Sequence, residues 1–160
     1  MVDSSGPVFS NSADRPRESI LGIGYTLLVS AEQTGGAYEL MKFVVPAGAG
    51  APPHIHRHED ESFYLIDGAL DLLVGEQTID AQAGVCVHLP RGVQHGFQNT
   101  TDRSASFLCW VLPGNLAGFF DSFKRAWPAD AERPAPVEQE DIAKLMAAAD
   151  RYGIEMLGSH

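Results

Sequence analysis

Short apolar runs recur along this chain from about Ile20 to beyond Phe107, and their length is the strongest constraint on what it can fold into. YTLLVS, YELMKFVV, SFYLI, ALDLLV, GVCVHL, HGFQN and ASFLCWVL are separated by TGG, PAGAGAPP, DG, GEQ and PRG. Runs this short, bounded by Gly, Pro and Asp, read as β-strands joined by tight turns. The rhythm predicts an antiparallel barrel or sandwich. A helical bundle would tolerate poorly the 16 glycines and 10 prolines carried by 160 residues, because both residues disfavour helix interiors. The length suits one domain with a core large enough to fold alone.

The ends of the chain follow other patterns. Residues 1–18 are rich in Ser, Asp, Arg and Pro without periodicity and are expected to form a flexible arm ahead of a β domain over 19–113. Past Gly114, Leu116, Phe119, Phe120, Phe123 and Trp127 fall at helical spacing, which predicts a helix from about Leu116 to Trp127. The Pro/Ala-rich stretch 128–136 separates it from a second helix expected from about Val137 to Tyr152, with the stripe Ile142, Leu145, Met146 and Ala149. Gly153 followed by Ile154 reads as a left-handed stop with its hydrophobic contact. Residues 114–160 are thus expected to be a helical extension.

A formal charge of −10 repels phosphate backbones and anionic lipid, which argues against nucleic acid and membrane surfaces as partners. The first residues lack a basic start followed by an apolar run, and no window approaches the ~20 apolar residues of a spanning helix. A cytoplasmic protein that binds a small molecule is expected. Cys86 and Cys109 sit in strand-like apolar surroundings and read as buried free thiols.

Three of the six histidines fall within PPHIHRHEDESFYLIDG, residues 52–68. On an extended strand, residues two apart share a face, so the imidazoles of His54 and His56 can converge on one point. Glu61 has the opposite parity. The intervening RHED must therefore turn or bulge, after which Glu61, Phe63 and Leu65 can face inward. A fourth donor is offered by GVCVHLPRGVQHGFQN, where Pro90-Arg91-Gly92 reads as a turn and His95 begins the returning strand. Three neutral imidazoles and one carboxylate suit Fe, Mn, Ni, Co, Cu or Zn, and suit Ca or Mg poorly. His58 reads as a solvated turn residue or one that supports a ligand from behind. Glu59 and Asp60 read as the polar turn itself, with Glu59 able to replace Glu61 if the bulge falls elsewhere. His88 reads as an ordinary strand histidine.

These residues resemble the cupin superfamily. Gly48, His54, His56, Glu61 and Gly68 match its first motif, G-x5-H-x-H-x4-E-x6-G, and Gly84, Pro90, Gly92, His95 and Asn99 match its second, G-x5-P-x-G-x2-H-x3-N. Only residues 69–83 separate the two, as in compact bacterial forms. The resemblance implies an all-β fold, a small jelly-roll (double-stranded β-helix) barrel with appended C-terminal helices, often a homodimer. It implies one divalent transition metal per chain on His54, His56, Glu61 and His95. Within the superfamily, the two motif stretches and the C-terminal helices look most like single-domain quercetin-dioxygenase-like cupins.

The function this implies is a metal-dependent oxygenase that uses O2 on a small apolar or aromatic, flavonol-like substrate. Phe63, Leu65, Phe97 and Phe107 are the candidate substrate contacts. Glu61, a carboxylate beside a metal and an apolar cavity, is the candidate general base. Cupins of nearly identical motif include isomerases, cyclases and binding proteins, so fold alone does not choose among them. Oxygen uptake separates the first case from the others.

Overall fold

A computed structural model describes residues 6–157. Residues 1–5, part of the expected arm, lie outside them. From Gly6 the chain makes a single 3-10 turn at Ser12–Asp14, capped by the Asn11 side chain, and enters its first strand at Glu18. The strands are β1 (Glu18–Ile20), β2 (Ile23–Val29), β3 (Glu39–Val45), β4 (Gly50–His56), β5 (Asp60–Asp67), β6 (Ala69–Val74), β7 (Gln77–Gln82), β8 (Cys86–Leu89), β9 (His95–Gln98) and β10 (Ala105–Leu112). Then come α1 (Ala117–Asp121), β11 (Arg125–Ala126), α2 (Gln139–Ala149) and β12 (Ile154–Met156). No helix among the described residues is long and apolar enough to cross a membrane.

The strands form a 7-stranded sheet, β11-β1-β2-β3-β10-β5-β8, facing a 5-stranded sheet, β12-β4-β9-β6-β7. The strand pairs are antiparallel, the two-layer arrangement of a jelly roll. Inward positions alternate with outward ones, as in Met41, Phe43 and Val45 or Phe107, Cys109 and Val111, all buried. The core between the sheets comes from that period-2 pattern. Gly68, at φ 76°, turns β5 into β6, and a side chain there would meet Ala105 Cα at 2.8 Å. Both the left-handed turn and the crowding require glycine.

The C-terminal region departs from the helical expectation. α1 spans only Ala117–Asp121, because Arg125 and Ala126 are captured by β1, opposite Ser19 and Glu18. The apolar residues expected on one long helix are still used. Leu116, Phe119, Phe120 and Phe123 are buried, while Trp127 stacks under the Arg17 guanidinium at 4.1 Å. α2 is shorter than expected, with Asp150–Tyr152 as a 3-10 turn. Its buried face holds Asp141, Leu145 and Ala149, whereas Ile142 and Met146 are about half exposed. The shift has a polar cause: Asp141 turns inward to pair with Arg125 at 2.8 Å and accepts the Glu138 N–H at 2.9 Å in a reciprocal helix cap. Gly153 takes the left-handed conformation at φ 68° and Ile154 is buried, but the chain then continues as β12, which pairs with β4.

Candidate metal centre

β4 and β9 bring the histidines together. Pro52 and Pro53 have no N–H to donate, so pairing between the strands breaks after Ala51 and resumes with His54 directly opposite His95. The irregularity presses the backbones close. A side chain on Gly96 would meet Ala51 O at 2.8 Å and Pro53 N at 3.1 Å, so the residue after His95 has to be glycine. Arg57–Glu59 make the turn demanded by parity, and β5 then returns Glu61, Phe63 and Leu65 to the interior.

The ligand atoms of His54, His56, Glu61 and His95 lie within 4.8 Å of one another. His56, Glu61 and His95 are buried and His54 is partly buried, facing the cavity. Hydrogen bonds fix which nitrogen each ring turns inward. His54 Nδ1 donates to Pro52 O at 2.8 Å and His95 Nδ1 to Val93 O at 3.1 Å, which leaves both Nε2 lone pairs for the cluster. His95 Nε2 then sits 2.7 Å from Glu61 Oε2. Two acceptors cannot approach so closely without a proton or a cation between them. That is the test of fit to a metal, and the donor set passes it: nitrogen and carboxylate donors converge where positive charge is required.

Titration behaviour points the same way. Burial and the repulsion of His95 and His56 lower His54 to about 3, so it is a neutral donor at physiological pH. Burial works to raise Glu61, but the facing His56, the close contact with His95 and the other imidazole outweigh it and hold the carboxyl down to about 2. Burial opposes the charged form of His56, yet Glu61 and Glu59 raise it above the ordinary value.

Two residues behind the cluster have places that the sequence reading did not give them. Glu59, read as part of the polar turn or as a replacement for Glu61, is only 2% exposed. Its Oε2 lies 3.4 Å from His56 Nδ1, and neither atom has a hydrogen-bond partner. The turn folds Glu59 back beneath His56, where a carboxylate orients the ring and strengthens its donor nitrogen. Cys109 Sγ lies 3.7 Å from Glu61 Oε1, a weak thiol donor on the oxygen turned away from the imidazoles. Its burial was expected. Cys86 is exposed instead, because on β8 Val87 and Leu89 take the inward positions. His88 also points outward, 3.0 Å from Ser62 Oγ. His58 is exposed, with its ring over the Gly153 backbone.

A cavity of about 100 Å³ opens onto the cluster. The sheets contribute Phe43, Phe63, Phe97 and Phe107, and α1 contributes Phe119 and Phe120. Leu145 of α2 and Met156 of β12 also line it. Leu65, expected among the substrate contacts, is wholly buried in the core and off the cavity.

Comparison with known proteins agrees with this architecture. A family model described as "Cupin domain" matches residues 41–111. Quercetin 2,3-dioxygenase from Bacillus subtilis (strain 168) is 23% identical over 129 residues, covering 78% of this chain and 38% of that protein. The chain therefore spans well under half the length of that curated relative. Among solved structures, KdgF from Halomonas sp. superposes with a TM-score of 0.61 at 17% identity, over 69% of this chain and 96% of that one. An RmlC-like cupin from Shewanella frigidimarina NCIMB 400 gives 0.60 at 21% identity, over 71% and 96%.

Proposed function

We propose, on the match of residues 41–111 to the cupin domain model, that the protein is a metal-dependent oxygenase acting on a small apolar or aromatic substrate. His54, His56, Glu61 and His95 hold one divalent transition metal, drawn from Fe, Mn, Ni, Co, Cu and Zn. The observation that carries the reading is the convergence of four donors within 4.8 Å at one end of an apolar cavity. The likeness to quercetin 2,3-dioxygenase supports oxygen chemistry over isomerisation.

When bound, the metal supplies Lewis acidity toward a substrate oxygen and electronic access to O2. The chain's own groups do the rest. His54 and His95 keep their Nε2 atoms aimed at the centre through their Nδ1–H bonds to backbone carbonyls. Phenylalanine walls exclude water and orient an enol or phenol, of the kind a flavonol presents, with its oxygen toward the cluster. Glu61 holds its negative charge strongly, so it is a weak base, and it would take a proton only from a substrate hydroxyl that the bound metal makes more acidic.

The test is oxygen consumption by metal-loaded protein across a panel of small enols and phenols, matched to substrate loss. The expected Glu61→Gln variant keeps measurable metal and loses most turnover. Substrate conversion without oxygen uptake would shift the reading to an isomerase or cyclase, and binding without conversion to a small-molecule-binding cupin.

A further inference from the structure

We propose that the substrate is one-ended, a compact molecule with all its oxygens gathered at the metal-facing end and bare hydrocarbon elsewhere. The inference deepens the reading of the four-residue cluster as a metal centre and rests on it. Among the side chains that line the cavity, the polar ones are His54, His56 and Glu61, and all three belong to the cluster. Every other lining side chain is Ile, Leu, Phe, Met, Ala or Pro, apart from one glycine. The backbone along Gly50–Pro52 is already engaged, Gly50 and Ala51 by their register with Gln98 and Phe97 and Pro52 O by His54.

A hydroxyl or carboxylate placed away from the cluster would thus lose its water and find no partner. Such a buried unpaired group weakens binding by about ten-fold or more. A group at the cluster end meets the imidazoles of His54 and His56, the Glu61 carboxylate and the metal they would hold. The cavity is polar at one end by construction.

Size narrows the class further. At about 100 Å³ the cavity is smaller than the roughly 150 Å³ that accommodates benzene, so even a single ring needs some widening of the walls and a multi-ring flavonol needs far more. The hydroxyls of a flavonol also spread over both ends of its ring system, where these walls offer them no partner. The substrate class is therefore a small enol, hydroxyketone or ring diol whose remaining carbons carry no heteroatoms, which separates this chain from a relative named for quercetin.

4-Methylcatechol and 3,4-dihydroxybenzyl alcohol test this directly. They share the ring diol that chelates a divalent metal and differ by a single hydroxyl on the carbon substituent remote from it. Both are titrated calorimetrically, without oxygen, into cobalt-loaded wild-type protein and, as a reference, into free cobalt. Equal affinity for free cobalt, with 4-methylcatechol about ten-fold or more tighter on the protein, is the expected result. Comparable affinities on the protein, or a preference for 3,4-dihydroxybenzyl alcohol, would overturn the proposal. So would failure of both to bind protein that holds cobalt, since the cavity would then not open onto the metal. A chain that takes up no cobalt at all sinks the metal-centre reading instead.

Discussion

Replacing His95 by alanine removes the donor that lies across from His54 and leaves three ligands from one short stretch of chain. Metal content measured by mass spectrometry should fall from about one equivalent to background, whereas His58→Ala, exposed beside Gly153, should bind normally. Glu59 provides a subtler case. Glu59→Gln keeps its shape and removes the charge under His56, so metal affinity should drop by roughly 10–100-fold while the fold survives. An unchanged dissociation constant in competition with a chelator would make Glu59 an accident of the turn. Sequence could supply the four candidate donors, because His54 and His56 share a strand face and Glu61 and His95 stand at the spacings of the two motifs. It could not supply Glu59. A charged residue between strands reads as solvated, and its burial depends on how the Arg57–Glu59 turn folds back, which no local pattern encodes.

At the scale of elements, α1 is held from outside its own sequence. The carboxylate of Glu39, buried on β3, accepts the N–H groups of Leu116 at 2.8 Å and Ala117 at 3.1 Å. Glu39→Ala would leave two buried donors without partners and should destabilise the protein by about 2–3 kcal/mol, read as a lower urea midpoint with unchanged slope. An unaltered midpoint would show that water replaces the cap freely. The strands were legible because side-chain alternation is a local property of a half-buried ribbon. β11 and β12 were not: each is two or three residues long and exists only through pairing with β1 or β4. A stripe of phenylalanines at helical spacing therefore read as one long helix, although β1 captures the backbone after Lys124. In α2, the spacing placed Ile142 and Met146 inward, and the Asp141–Arg125 pair rotated the helix the other way.

For the molecule as a whole, metal and pH act on one equilibrium. His56 is raised above its ordinary 6.5 in the folded metal-free chain, so its protonation adds stability below that value, and this contribution is lost as pH rises through the raised folded-state value. A metal needs the neutral ring. Added cobalt should therefore raise the melting temperature more at pH 8 than at pH 6, and equal shifts at both would remove His56 from the ligand set. Integrity of the cavity depends on the C-terminal segments, since α1, α2 and β12 all line it. Deleting residues 115–160 should expose Phe43 and Phe107 to solvent and cause aggregation or loss of a cooperative melt. A soluble truncated chain with an unchanged melt would show the extension to be dispensable.

β12 also dictates an order of events during synthesis. It lies against β4 with Ile154 opposite His56 and Met156 opposite His54, and Glu155 pairs with Arg57 at the end of that strand. A growing chain carries both histidines long before the residues that flank them have left the ribosome. Until then β4 is an open sheet edge, its unpaired N–H and C=O groups available to any neighbouring chain. A ribosome stalled between α2 and β12 would hold a polypeptide that already has all four candidate ligands and is still prone to join another chain through the strand that bears two of them.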